Sequence, residues 1–244
     1  MSISAILKES LQVVKKNPIL FIPMLALTII TSILSLIFLG SMIPTIGGMA
    51  EGPASSSEAL TAAGTALGGI FLVLVISSIL GLIAHGMTVA MADEAAREEK
   101  TSLKSGYTKT KERLVTIIIS AVVVGVLVSV GFILLILPGI IAAFLLMFTF
   151  IAVMLDSQNA FRAVGKSVRV VTRNFGSVFV LFLVLLAIAV LVGIINVIVG
   201  LIPILGAIIA ILLSAVYTAY VSVFLVLAYR GLEEKPTEAP EPQT

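Results

Sequence analysis

The chain has 244 residues, of which 59% are apolar and 11% charged, and its mean hydropathy is +1.22. Soluble domains carry about 25% charged residues, and disordered chains need low hydrophobicity and high net charge, so both classes are excluded. The chain lacks cysteine, which excludes disulfide scaffolds, thiolate zinc sites and cysteine nucleophiles and leaves a polytopic membrane protein.

The charged residues occur in groups that are separated by apolar stretches of membrane-spanning length. No charge falls within residues 17–50, 59–92, 114–155 or 174–229. A helix crosses about 30 Å of hydrocarbon with roughly 20 residues, so the first two gaps each hold one crossing and the last two each hold two. The predicted spans are Pro18–Gly40, Leu67–Met91, Val115–Leu137, Ile140–Leu155, Ser177–Val199 and Ile204–Tyr229. The fourth is short, and we expect its helix to continue past Asp156 toward Phe161.

The basic residues predict the orientation of these spans. With six crossings and a cytoplasmic N-terminus, all fifteen Lys and Arg residues lie inside, and only Glu51 and Glu58 lie outside. We therefore expect a multi-pass protein of the cell (plasma) membrane with both termini cytoplasmic. The first apolar stretch has the length of a span, so it is predicted to be a retained span and not a cleaved signal peptide.

The fold class predicted is all-α, with three parallel helical-hairpin repeats at about residues 1–92, 93–156 and 157–232. A cytoplasmic amphipathic helix is expected before each hairpin. The evidence is a match at a constant offset of 157, in which Ser10, Val13, Val14, Lys16 and Asn17 align with Ser167, Val170, Val171, Arg173 and Asn174.

Proline and glycine mark the expected turns of these hairpins. Residues 43–47 (IPTIG) match residues 202–206 (IPILG), and Leu137-Pro138-Gly139 is a shorter version. Residues 49–66 are interpreted as an outer loop with a short helix after Ser57. The chain is thus predicted to be one transmembrane domain over residues 1–232, followed by a disordered acidic tail over 233–244.

The predicted spans hold almost no ionisable residues, which are the usual mark of function inside a bilayer. One histidine and no cysteine cannot form a metal cluster, and no nucleotide-binding or metalloprotease motif occurs, so no metal, cofactor or catalytic residue is predicted.

Several uncharged polar residues inside the spans are candidates for interhelical contacts or a polar pathway. Ser78, Gly81, His85 and Thr88 share one helical face. His85 is interpreted as an interhelical hydrogen-bonding residue or, alternatively, as a gate, a ligand contact or a member of a Ser–His dyad with a serine such as Ser214. Asn196 is expected to bond a neighbouring helix or line a vestibule. In the sixth predicted span, small and polar residues recur every four positions, namely Ala210, Ser214, Thr218 and Ser222. They are expected to allow close packing of helices or, alternatively, to line a narrow polar pathway.

A basic stripe precedes the fifth span. Arg162, Lys166, Arg169 and Arg173 recur at spacings of 4, 3 and 4, beside an apolar face of Phe161, Val164, Val168, Val171 and Phe175. Such a stripe is typical of contact with anionic headgroups or a partner, at about 1 kcal/mol per charge. It is also explained by the positive-inside bias alone.

Three segments carry a resemblance to a known group: SLQVVKKNP at residues 10–18, ILPGI at 136–140 and AVGKSVRVVTRN at 163–174. The chain resembles uncharacterised prokaryotic six-span membrane proteins, including the membrane domain fused to some glycerophosphodiester phosphodiesterases. The resemblance implies the hairpin architecture and no chemistry, because the catalytic barrel of those fusions is missing from this sequence.

These observations favour a non-enzymatic accessory, scaffold or lipid-interacting bundle. Its expected partners are membrane lipids, which we expect to be anionic, and also a protein partner or a second copy of the chain. No nucleic-acid partner is expected. The alternative is a passive channel or transporter for a small neutral or weakly polar solute. A hydrolase acting on lipid is the third hypothesis.

Overall fold

The computed structural model describes residues 3–50, 55–98, 100–156, 159–202 and 205–233, and these residues form helices joined by short connections. A single 3₁₀ turn, Pro18–Phe21, joins the first two helices. The helices are α1 (Ile3–Lys16), α2 (Ile22–Ala50), α3 (Ser56–Glu98), α4 (Leu103–Leu134), α5 (Ile136–Leu145), α6 (Thr149–Asp156), α7 (Ala160–Arg173), α8 (Phe175–Gly200) and α9 (Leu205–Glu233).

Six segments are long and apolar enough to cross a membrane, as the apolar gaps predict. They are Pro18–Ile43, Leu60–Glu98, Leu103–Leu134, Ile136–Asp156, Phe175–Gly200 and Leu205–Glu233. The apolar gaps therefore locate the six helical segments that are long and apolar enough to cross a membrane, while the ends of several helices differ from the prediction.

The loop and turn predicted in the first unit are wrong in extent. Helix α2 continues through Pro44 to Ala50, and the expected short helix after Ser57 is the start of the 43-residue α3. In an apolar environment backbone groups must be satisfied within the helix. A proline removes one hydrogen bond and crowds the preceding turn, whereas ending the helix leaves its last four carbonyls without helical partners, which favours the continuation of α2.

The turn before the fourth span lies earlier than residues 137–139. The extended backbone of Leu135 separates α4 from α5, which places Pro138 in the first turn of α5, where a backbone N–H has no partner within the helix. Gly131 and Gly139 meet closely here, because a Cβ on Gly131 would lie 2.9 Å from the Cα of Gly139.

The fourth span ends at Asp156 and does not continue toward Phe161. The side chain of Asn159 accepts a hydrogen bond of 3.0 Å from the backbone N–H of Arg162 and so caps the start of a new helix, α7. The same span is also interrupted within its length, since Leu146, Met147 and Phe148 form a turn between α5 and α6.

Two of the three expected amphipathic helices are separate helices, α1 and α7, and they end alike. Asn17 and Asn174 each donate a side-chain hydrogen bond of 3.1 Å to the carbonyl four residues earlier. In the middle unit the amphipathic segment is the first part of α4. The three-fold repeat itself stays a prediction.

The buried core lies at one end of the bundle, which we call the charged end because it holds α1, α7 and the ends of α3 and α9 that carry charged residues. Its largest fully buried side chains include Tyr229, Phe148, Phe224, Leu20 and Met91. The opposite end, where α4 meets α5 and α8 meets α9, is called the turn end. Gly206 is required there, since a Cβ on it would lie 2.0 Å from the carbonyl oxygen of Val199.

Candidate functional site

At the charged end Lys109 of α4 lies 3.9 Å from Glu94 of α3, and two larger ion-pair clusters tie further helices together. In the first, Arg230 of α9 donates a hydrogen bond to Asp93 of α3. Arg97, one turn further along α3, places its Nε 3.6 Å from the other oxygen of the same carboxylate. The Asp93 side chain is only 15% exposed, so this contact joins α3 to α9 at a largely buried position.

The second cluster centres on Asp156, the last residue of α6. Its Oδ2 accepts hydrogen bonds from the Tyr229 hydroxyl at 2.5 Å and from Lys166 Nζ at 2.7 Å. Lys166 also lies 2.5 Å from Glu233 Oε1. Burial acts to lower the pKa of Lys166, but the hydrogen bonds and charges of Asp156 and Glu233 outweigh it and raise this pKa above 10.5. Lys166 is therefore a cation that fastens α7 to α6 and α9.

Helix α7 is also fastened to the interruption in the fourth span. The buried hydroxyl of Ser167 donates to the carbonyl of Leu145 at 2.8 Å and accepts from the N–H of Phe148 at 3.2 Å. These bonds satisfy two backbone groups that the interruption removes from the helical ladder. Irregular backbone at membrane depth is tolerated where protein buries it or where it lines a cavity, and both conditions hold here.

The opposite side of α7 is exposed. Arg162, Arg169 and Arg173 are exposed, and none of them pairs with an acidic side chain in the part of the chain that the structure describes. Phe161 and Phe175 are 73% and 57% exposed. The buried face differs from the predicted apolar face and consists of Ala160, Ala163, Ser167, Val170 and Val171.

A cavity of about 640 Å³ lies among α2, α3, α4, α6 and α9, beside the interruption. Most of its lining is apolar, including Met24, Leu27, Leu82 and Phe150. Five polar side chains from four helices face it, namely Ser78, His85, Ser120, Thr149 and Thr218.

The cavity brings together three of the polar residues that the sequence singled out, Ser78, His85 and Thr218, and also Gly81 of the same α3 face. His85 packs edge-on against Phe150, with ring centroids 5.3 Å apart, and the interhelical hydrogen bond expected of it is not formed with any described residue. Ser214, the proposed dyad partner, does not line the cavity.

The remaining candidates are placed elsewhere. The Thr88 and Ser222 hydroxyls are buried and donate to carbonyls of their own helices, those of Ala84 and Thr218. The Asn196 amide donates a hydrogen bond of 3.0 Å to the carbonyl of Val192 in its own helix, and its expected contact with a neighbouring helix or a vestibule stays a prediction.

Other residues of these sites were missed by the sequence reasoning. Thr149 and Ser120 are polar residues inside spans, the same signal that marked Ser78 and Thr218. Asp93, Tyr229 and Arg230 lie at the borders of spans, where an acidic or phenolic residue beside a basic one marks a possible ion pair. In the described residues no group of three or more His, Cys, Asp or Glu side chains is arranged to hold a metal ion.

Comparison of the chain with protein-family models, with curated proteins and with solved structures finds no match.

Proposed function

We propose that this chain is a non-enzymatic membrane protein that binds anionic lipid headgroups through the exposed side of α7, at the cytoplasmic face of the cell membrane. The observation that carries the proposal is the contrast between the two sides of α7. One side is fastened to the bundle by Ser167 and Lys166, while the other exposes three arginines.

A fastened helix is a favourable platform for headgroups because its arginines need little further ordering when they bind. Each basic residue near an anionic surface contributes about 1 kcal/mol. Three therefore contribute about 3 kcal/mol, or roughly a hundredfold in affinity. The exposed rings of Phe161, in the first turn of α7, and Phe175, the first residue of α8, suit the boundary between headgroups and acyl chains, where amphipathic helices place aromatic residues.

Lys166 has a different role from the arginines of the same stripe. Its charge is compensated by Asp156 and Glu233, and its side chain is 28% exposed. We assign Lys166 to the attachment of α7, and Arg162, Arg169 and Arg173 to the headgroups.

The test compares two triple variants of the full chain in nanodiscs of phosphatidylcholine with a minority of phosphatidylglycerol. The first, R162Q/R169Q/R173Q, is expected to lose the enrichment of phosphatidylglycerol that the wild-type protein retains on extraction. The second, K100Q/K104Q/K111Q, removes the same charge from exposed positions just before α4 and within its first three turns, and is expected to retain the enrichment. Equal retention by both variants, or equal loss, contradicts the proposal.

A second candidate function, a passive pathway for a small neutral or weakly polar solute, is supported by the cavity that Ser78, His85 and Thr218 line. Vesicles containing the protein are then expected to take up glycerol or urea faster than protein-free vesicles. Equal uptake rates contradict this function and leave headgroup binding by α7 unaffected.

A further inference from the structure

The intramembrane cavity has the size and lining of a small-molecule site. Its volume of about 640 Å³ falls within the range of about 300–1,000 Å³ that such sites occupy. Those sites are lined mainly by apolar side chains with a few polar groups that fix the orientation of the ligand, and this cavity has that composition. Every helix in its wall belongs to a candidate membrane span.

Three of the polar side chains offer the cavity only hydrogen-bond acceptors. The hydroxyls of Ser78, Ser120 and Thr218 each donate their single hydrogen to the carbonyl four residues earlier in their own helix, at 2.7, 2.7 and 2.9 Å. A hydroxyl oxygen that has donated its hydrogen retains lone pairs that accept. A ligand that donates a hydrogen bond is therefore matched by this wall.

Two further groups have unused hydrogen-bonding capacity. Thr149 is 1% exposed, and its hydroxyl has no hydrogen-bond partner in the described structure. A buried hydroxyl without a partner is destabilising, so a ligand that bonds to it removes that penalty. His85, without a hydrogen bond to any described residue, offers in its neutral form one donor and one acceptor.

The lining also excludes charged ligands. No Asp, Glu, Lys or Arg occurs among the residues that line the described cavity. A carboxylate or ammonium group placed there would be buried without a counter-charge, which costs far more than an unpaired hydroxyl.

We propose that this cavity binds an uncharged lipid-like alcohol, a molecule with an apolar body and a hydroxyl group, taken up from the bilayer. The ligand hydroxyl donates to one of the hydroxyl oxygens of Ser78, Ser120 and Thr218, and it accepts a hydrogen bond from Thr149. The apolar body of the ligand contacts residues such as Leu27, Leu82 and Phe150. The site is separate from the arginines of α7, and its occupancy does not depend on headgroup binding or on passage of a solute.

The experiment uses the full chain in phosphatidylcholine nanodiscs and a dodecanol that carries a photoactivatable diazirine. We expect saturable labelling of peptides from the cavity wall. Unlabelled dodecanol is expected to compete, and dodecane or dodecanoate at the same mole fraction to compete at least about fivefold less, since neither supplies an uncharged hydroxyl.

Two pairs of variants locate the site. Thr149→Val keeps the side-chain shape and removes the hydroxyl, and it is expected to weaken dodecanol binding about 2- to 10-fold, whereas Thr172→Val on the exposed side of α7 leaves it unchanged. Gly81→Leu fills the cavity and is expected to abolish labelling. Gly68→Leu on the same helix is the control, because a Cβ at either glycine meets no atom within 4 Å and only Gly81 lines the cavity.

The proposal is overturned if Gly81→Leu leaves labelling unchanged, if dodecane competes as well as dodecanol, or if Thr149→Val and Thr172→Val behave alike. The α7 variant R162Q/R169Q/R173Q is expected to keep dodecanol labelling. Loss of lipid retention in that variant and loss of labelling in Gly81→Leu therefore report on separate sites.

Discussion

The charged end and the turn end of the bundle are held together in different ways. At the charged end Val153, Val223 and Phe224 are fully buried, and the ion pairs of the Asp93 and Asp156 clusters join α3, α6, α7 and α9. At the turn end Ile133 and Leu201 are 82% and 79% exposed, and α8 contacts few residues beyond α7 and α9. Lipid tails are as apolar as leucine, so helices gain little hydrophobic free energy by associating in a bilayer. Tight packing and polar contacts must hold the bundle, and this chain concentrates both at one end.

The cavity lies between these two regions. Along α3, His85 is eight residues before Asp93, or about 12 Å at helical rise, and Ser78 is about 10 Å further away. The ion pairs and the packed core therefore close the bundle on one side of the cavity, and helices with exposed apolar surfaces surround the other. A rigid end can hold the cavity wall in place while the turn end admits a ligand from the bilayer.

The largest expected difference between the two ends is in the free energy of unfolding that is lost when a large side chain is removed from each end. Phe224→Ala is expected to reduce the free energy of unfolding by up to about 3–5 kcal/mol, since Phe224 is fully buried. Phe71→Ala, at a position 69% exposed, is expected to change it by less than about 0.5 kcal/mol. Unfolding of both variants in mixed micelles measures the difference, and equal effects would show that the two ends are equally packed.

The next effect concerns the Asp156 cluster. Asp156→Asn is expected to lower the free energy of unfolding by about 1.5–3 kcal/mol, because it weakens the contacts with both Tyr229 and Lys166. This is the usual contribution of a hydrogen bond to a charged group. Tyr229→Phe removes one of these contacts and is expected to cost less. The same unfolding measurement ranks the two variants, and a larger loss for Tyr229→Phe would contradict a cluster centred on the carboxylate.

A smaller loss of stability is expected when Ser167 is replaced, and Ser10, the buried serine that the repeat pattern aligns with it, provides the comparison. Ser167→Ala is expected to cost about 1–2 kcal/mol and to speed amide exchange at Phe148, because Ser167 bonds two backbone groups of the interruption. Ser10 is equally buried but donates only to Ile6 in its own helix, so Ser10→Ala is the matched control. Hydrogen exchange that stays unchanged at Phe148 in Ser167→Ala would show that α7 does not hold the interruption.

The spans could be predicted from the sequence because the length of an apolar stretch is itself a physical quantity that the bilayer sets. The helix ends could not be predicted as well. Pro44 does not end α2, and Leu135, which has no turn-forming side chain, ends α4. At Pro44 the local signal of proline is overridden by the need of an apolar helix to satisfy its backbone, and at Leu135 the turn is set by the close packing of Gly131 against Gly139.

The candidate site could be predicted in part. Ser78, His85 and Thr218 stand out as polar residues inside spans, and the cavity collects them. The interruption at residues 146–148 contains neither proline nor glycine, and its stabilising contact comes from Ser167, about twenty residues away. Lys166 shares the spacing of the arginines, but its partners Asp156 and Glu233 come from α6 and α9. Contacts of this kind follow from the tertiary fold and leave no periodic signal.

The smallest expected effect is a loss of the stability that Lys166 contributes to the charged end at alkaline pH. The pKa of Lys166 is raised above 10.5 in the folded protein, so the stability that its charge contributes is fully present below 10.5 and is lost as the pH rises through the raised value. Because Lys166 is partly exposed, we expect a contribution of about 1 kcal/mol or less. The free energies of unfolding of wild-type protein and Lys166→Gln should therefore differ by a constant amount from neutral pH to about 10 and converge above it. A difference that stays constant into strong alkali would show that the charge of Lys166 does not fasten α7, and the rigidity of the charged end would then rest on Ser167 and on packing alone.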